Sequence, residues 1–94
     1  MKKAILSPLE VLKRKYSRSL LSEIAYCRDE IRGLVGQDRA SGYSDDEIEA
    51  KMGDYLDEVY SDYFHVAANE YGVTEEEFDY IYQILEDIDG PVVL

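Results

Sequence analysis

The 94 residues contain one cysteine, one histidine, two prolines and no tryptophan, and only one cation, Lys51, follows Ala40. Cys27 alone cannot form an intrachain disulfide, so no covalent staple is expected. Few prolines and glycines, beside 46% apolar residues recurring at helical spacing, exclude the composition that keeps highly charged chains unfolded. No apolar run approaches the roughly 20 residues of a membrane-spanning helix. The stretch Met1-Lys2-Lys3-Ala4-Ile5-Leu6 is charged but has too short an apolar run for a secretory signal. A cytoplasmic location is therefore expected. A chain of this length buries one modest core, so residues 1–94 are expected to form a single domain.

Charge is divided sharply along the chain. Sixteen of the twenty-one carboxylates follow Ala40, whereas nine of the ten Lys and Arg residues precede it. The net charge of −11 is thus concentrated in the second half. Such a field opposes contact with naked nucleic acid or an anionic membrane and favours a basic protein surface.

Three helix starts carry the capping-box pattern, in which a hydroxyl accepts the third helical N–H and a carboxylate reaches back. They are Ser7 with Glu10, the latter preceded by Pro8 at the first helical position, Ser44 with Glu47, and Thr74 with Glu77. From Pro8, the stripe Leu9, Leu12, Tyr16, Leu20, Ile24, Cys27, Ile31 and Leu34 predicts one helix over residues 8–35, ending before Gly36. A second stripe, Ile48, Met52, Tyr55, Val59, Tyr63, Val66 and Ala67, predicts a helix over 45–71, weakened by Gly53 and closed at Gly72. Phe78, Ile81, Leu85 and Ile88 predict a third over 75–89, stopped by Gly90 and Pro91. With a loop at 36–43 and a short tail at 90–94, the expected fold is all-α. It is a small three-helix bundle, with two long antiparallel helices and a shorter third. The similar segments beginning at Ser44 and Thr74 share helix-start chemistry, since nothing else recurs at a fixed period.

The acidic residues then separate by cause. Asp45, Asp46, Glu47, Glu75, Glu76 and Glu77 occupy first turns, where the helix dipole favours them. Asp54, Glu58 and Asp62 instead recur every fourth residue, putting like charges one turn apart, with Asp57 alongside. Glu86, Asp87 and Asp89 fall in the last turn of the third helix, where the dipole opposes each by about 0.3–1 kcal/mol. These two groups are the candidate partner-binding carboxylates. Rows of negative charge at helical spacing approximate the phosphate array that nucleic-acid-binding proteins neutralise. Charge runs are usually solvated faces, but the one-sidedness here favours display.

Nine tyrosines against two phenylalanines add contact chemistry, because tyrosine joins apolar area to a polar tip. Tyr16, Tyr55 and Tyr63 are placed in the core, while Tyr60 and Tyr82, nearer the polar flanks, are the preferred contact residues. Arg14, Arg18, Arg28 and Arg32 fall within about 40° of one line on the first helix, forming a basic edge. That edge is a candidate for pairing with the acidic helix, either within one molecule or in a homodimer.

Ala68-Asn69-Glu70-Tyr71-Gly72-Val73-Thr74, with Phe78 and Ile81, resembles the corner of a helix-turn-helix DNA-binding motif in its small residue, turn glycine and apolar spacing. The helix that would read DNA begins Glu75-Glu76-Glu77 and carries Asp79, a charge that suits packing and opposes phosphate. Catalytic material is sparse. Pairing Cys27 with His65 requires two distant helices and finds no oxyanion site. Asp62 and His65 have metal-ligand spacing, but a second such helix with its own histidine is missing. No phosphate-cradling glycine loop occurs, and Asp38 to Glu49 misplaces the glycine of a calcium loop. No catalytic, metal or cofactor site is expected.

The expected function is that of a non-enzymatic inhibitor or regulator presenting carboxylates to the basic groove of a nucleic-acid-binding protein, such as a nuclease or defence complex. Inhibitors of restriction or CRISPR nucleases carried by phages and mobile elements fit this description in kind, by analogy. An immunity or antitoxin protein neutralising a basic toxin would use the same electrostatics. A self-assembling helical adaptor would use the arginine edge.

Overall fold

Ser17 divides what the apolar stripe had joined. In the computed structural model, which describes residues 6–94, Tyr16 and Ser17 are extended, and the Ser17 hydroxyl accepts the Leu20 N–H at 3.2 Å as a fresh N-cap. Residues 1–5, most of the stretch assessed above as a signal, lie outside the described residues. The elements are α1 (Pro8–Lys15), α2 (Arg18–Ala40), α3 (Asp45–Tyr55), a π-helical segment (Leu56–Tyr60), α4 (Ser61–Tyr71) and α5 (Glu75–Glu86). Because α3, the π segment and α4 run on without a break, the described residues form four rods and no strand. The fold is all-α as expected, but it is not a three-helix bundle.

Caps explain where each rod begins and ends. Ser44 with Glu47, and Thr74 with Glu77, form complete capping boxes, whereas Ser7 accepts the Glu10 N–H without the reciprocal bond. The Glu10 carboxylate faces Lys13 at 3.5 Å instead. Glu77 is held below the usual carboxylate range by the Thr74 N–H and hydroxyl, with the Tyr16 hydroxyl adding to them. Contrary to expectation, α2 passes through Gly36 and stops at Gly42, which adopts φ 90°. There Tyr43 N–H bonds to the Asp38 carbonyl and Gly42 N–H to that of Arg39, both at 3.1 Å, which is the Schellman closure. The predicted loop of 36–43 is thereby reduced to a tight connection. Gly72, at φ 67°, closes α4 as expected.

α2 is the spine against which the other elements lie. Asp38, near its end, meets Lys51 and Tyr55 of α3, while Arg18 and Glu23, near its start, share a groove with Tyr71 of α4. The long rods are therefore antiparallel. α5 runs in the same sense as α2, from Tyr16 beside Glu77 to Arg32 beside Glu86. The core gathers Leu12, Leu21, Ile24, Cys27, Ala67, Phe78, Ile81 and Leu85, all essentially inaccessible. Val92 and Leu94 of the tail pack back onto it. With extents of 52 × 35 × 18 Å and a radius of gyration of 15.0 Å, against about 12 Å for a compact chain of this length, the molecule is a slab. A slab leaves broad faces open.

Candidate protein-binding face

The π segment rearranges the predicted acidic ladder. A π turn bonds i to i+5, so the α-helical register that would stack Asp54 above Glu58 is lost between them. The inward face is also wider than predicted: Tyr60 and Phe64 pack against the core beside Val59 and Tyr63, Ala67 is fully buried as expected, and Val66, predicted to be core, is exposed. Asp54, Asp57, Glu58 and Asp62 are all exposed. Among the described residues none of them lies within ion-pair distance of a cation. Lys51, the sole cation of the second half, turns instead to Asp38 at 3.4 Å and over the Tyr43 ring at 4.0 Å. Asp38 also accepts from the Tyr55 hydroxyl, and this bond raises the Tyr55 phenol.

The two tyrosines chosen for contact are placed differently from the expectation. Tyr82 is a core residue, only 6% exposed, and Tyr60 is half-buried. Their rings meet edge to face at 5.1 Å, and Tyr60 meets Phe78 in the same way at 5.0 Å. The Tyr60 hydroxyl donates to Asp79 at 3.1 Å, joining the π segment to α5. Burial raises both phenols, with Asp79 adding to the effect at Tyr60 and Glu86 at Tyr82. Helical phase misassigned Tyr82, because α5 buries a face wide enough to include both Ile81 and Tyr82.

The arginine edge does not form as predicted. The break at Tyr16 and Ser17 takes Arg14 out of phase with α2, leaving it exposed on α1, and Arg18 is exposed at the start of α2. Arg28 is 1% exposed: its Nη2 donates to the Ile88 and Gly90 carbonyls at 2.6 and 2.7 Å, and its Nη1 to Asp29 at 2.7 Å. Arg32 donates to the Glu86 carbonyl at 2.7 Å and lies 3.6 Å from the Glu86 carboxylate. Two guanidinium groups thus cover the C-terminal end of α5, where the dipole is negative. Glu86 therefore has an internal role, its charge offset by these cations, and α5 ends there and not at residue 89, which leaves Asp87 as the cap and Asp89 beyond the helix. Asp87 and Asp89 remain exposed.

One grouping was invisible in the sequence. Leu56 and Tyr60 of the π segment and Glu75, Glu76, Asp79, Tyr82 and Gln83 of α5 line a groove of about 440 Å³. Of its acids, Glu75 and Glu76 are explained in the sequence by the helix dipole. Only Asp79, beyond the first turn and not needed for capping, carried a signal of another use.

The placement of Cys27 does not suit nucleophilic chemistry. His65 is exposed, whereas Cys27 is fully buried with its thiol pushed up to about 12, by burial first and then by Glu30 and Glu86. Thiolate is the reactive form, so the native chain is expected to resist a thiol reagent near neutral pH and to label only in denaturant. Rapid labelling of the folded chain would contradict this packing. Among the described residues, no three His, Cys, Asp or Glu side chains are grouped to hold an ion, and no helix is long and apolar enough to cross a membrane. The chain matches no protein-family model, and comparison with curated proteins and with solved structures finds no match.

Proposed function

We propose that this chain is a small acidic inhibitor or regulator that occupies the basic groove of a nucleic-acid-binding protein in place of nucleic acid. The observation carrying this reading is the uncompensated display of Asp54, Asp57, Glu58 and Asp62, while the one nearby lysine is turned inward to Asp38. Exposed acids without internal partners keep their charge for an external one. The helix-turn-helix-like corner supports packing in this reading: Val73, Phe78 and Ile81 are buried in it, and Glu75 and Glu76 lie outward. An anti-defence role against a nuclease is the form we favour, with neutralisation of a basic toxin as the alternative. The self-assembling adaptor loses ground, because Arg28 and Arg32 are committed to α5.

Affinity capture from native-host lysate at low salt tests the proposal, with a control in which Asp54, Asp57, Glu58 and Asp62 are replaced by Asn, Asn, Gln and Asn. A basic nucleic-acid-binding protein retained by the native chain and lost by the control is the expected result. Equal recovery by both, or recovery of the chain alone, would refute it.

A further inference from the structure

We infer that the groove between the π segment and α5 receives an arginine side chain of the basic partner. The inference rests on the proposed function and deepens it, because it assigns a specific contact within a general electrostatic attraction. Three features of the groove select the ligand. Its apolar part is Leu56, which is 40% exposed, together with the edge-to-face pair Tyr60 and Tyr82. Its polar part is Glu75, Glu76 and Asp79, and no cation is among the residues that line it. Thr74 and Glu77 complete the cap of α5, so Glu75 and Glu76 are not needed for that bond.

The remaining feature is a carboxylate held in place at the edge of the aromatic pair. Asp79 is already fixed by the Tyr60 hydroxyl through Oδ1, which leaves its second oxygen free. A volume of about 440 Å³ is within the roughly 300–1,000 Å³ of binding clefts.

Arginine meets these demands better than lysine. Its guanidinium is planar, weakly hydrated and able to stack on an aromatic ring while donating several hydrogen bonds to carboxylates. The lysine ammonium is compact and strongly hydrated, and gains less from an apolar floor. Diffuse attraction to an acidic face would treat the two alike. Discrimination between them is therefore the signature of the groove.

The test titrates the isotope-labelled full chain with oligoarginine and oligolysine peptides of equal length and charge, followed by NMR near 0.1 M salt, where long-range attraction is screened beyond about 10 Å. Saturable shifts at Leu56, Tyr60, Asp79 and Tyr82, with oligoarginine bound about tenfold tighter, are expected. Asp79→Asn should bring the two affinities together. So should Leu56→Arg, a change at an exposed position that fills the groove from within and leaves the core intact. Equal affinities in the native chain, or discrimination that survives both Asp79→Asn and Leu56→Arg, would overturn the inference. Those results leave the proposed function standing if capture still depends on Asp54, Asp57, Glu58 and Asp62. Arginine selectivity with no captured partner would instead retain the groove and reject the function.

Discussion

Replacing Arg28 by methionine lowers the stability of the domain by about 3 kcal/mol, a large part of the roughly 5–15 kcal/mol available to a fold of this kind. The side chain is 1% exposed and donates to two carbonyls, Ile88 at 2.6 Å and Gly90 at 2.7 Å. Each such charge-assisted bond contributes about 1.5–3 kcal/mol, and removing the donor leaves both acceptors without it at the end of α5. Part of that loss is offset, because methionine removes the cost of holding a cation away from water. Arg28→Lys recovers less than half of it. An ammonium lacks the planar fork that reaches both carbonyls and Asp29 together. Chemical denaturation of the three proteins decides the point, and a loss below about 1 kcal/mol for the methionine variant would show that the tail and α5 hold their place without the arginine.

Neutralising Asp54, Asp57, Glu58 and Asp62 has opposite effects on the free chain and on its complex. In the free chain the change moves the net charge from −11 to −7 and removes repulsion without breaking any ion pair among the described residues. A gain of about 0.2–0.5 kcal/mol is expected at low salt, the cost of a like-charge pair one helical turn apart, since the π segment breaks the register between Asp54 and Glu58. The gain shrinks as salt shortens the range of the field. In the complex proposed above, four interfacial charges would be lost at once. Close charge pairs across interfaces couple by about 1.5–7 kcal/mol, so affinity falls by about 100-fold or more. Residues whose removal steadies the fold and abolishes binding are retained for binding. Thermal melts at two salt concentrations measure the first effect and titration of the captured partner measures the second. Destabilisation that persists at high salt would mean that these carboxylates serve the fold.

Much of the helical order was legible because its signals are local. The boxes at Ser44 and Thr74 and the left-handed stop at Gly72 each lie within four residues of chain. Ser17 was missed because its third helical residue is Leu20, so no carboxylate advertised the cap. The apolar stripe points to Gly36 for the stop that Gly42 provides, because the choice depends on Asp38 docking against Tyr55 and Lys51 across the corner. The π segment left a trace that a strict helical period overlooks. The apolar doublets Val59-Tyr60, Tyr63-Phe64 and Val66-Ala67 are what a one-residue shift of register makes available. Nothing local could reveal the groove or the burial of Arg28, since both depend on α5 lying beside elements distant in the chain.

The most direct measurement of mimicry is competition for the captured partner between this chain and a short duplex, each titrated against the complex of the other at fixed salt. Mutually exclusive binding is predicted, with the duplex releasing the chain and the chain releasing the duplex, and with the neutralised variant failing to compete. A stable ternary complex, in which the partner holds duplex and chain together, would contradict the account.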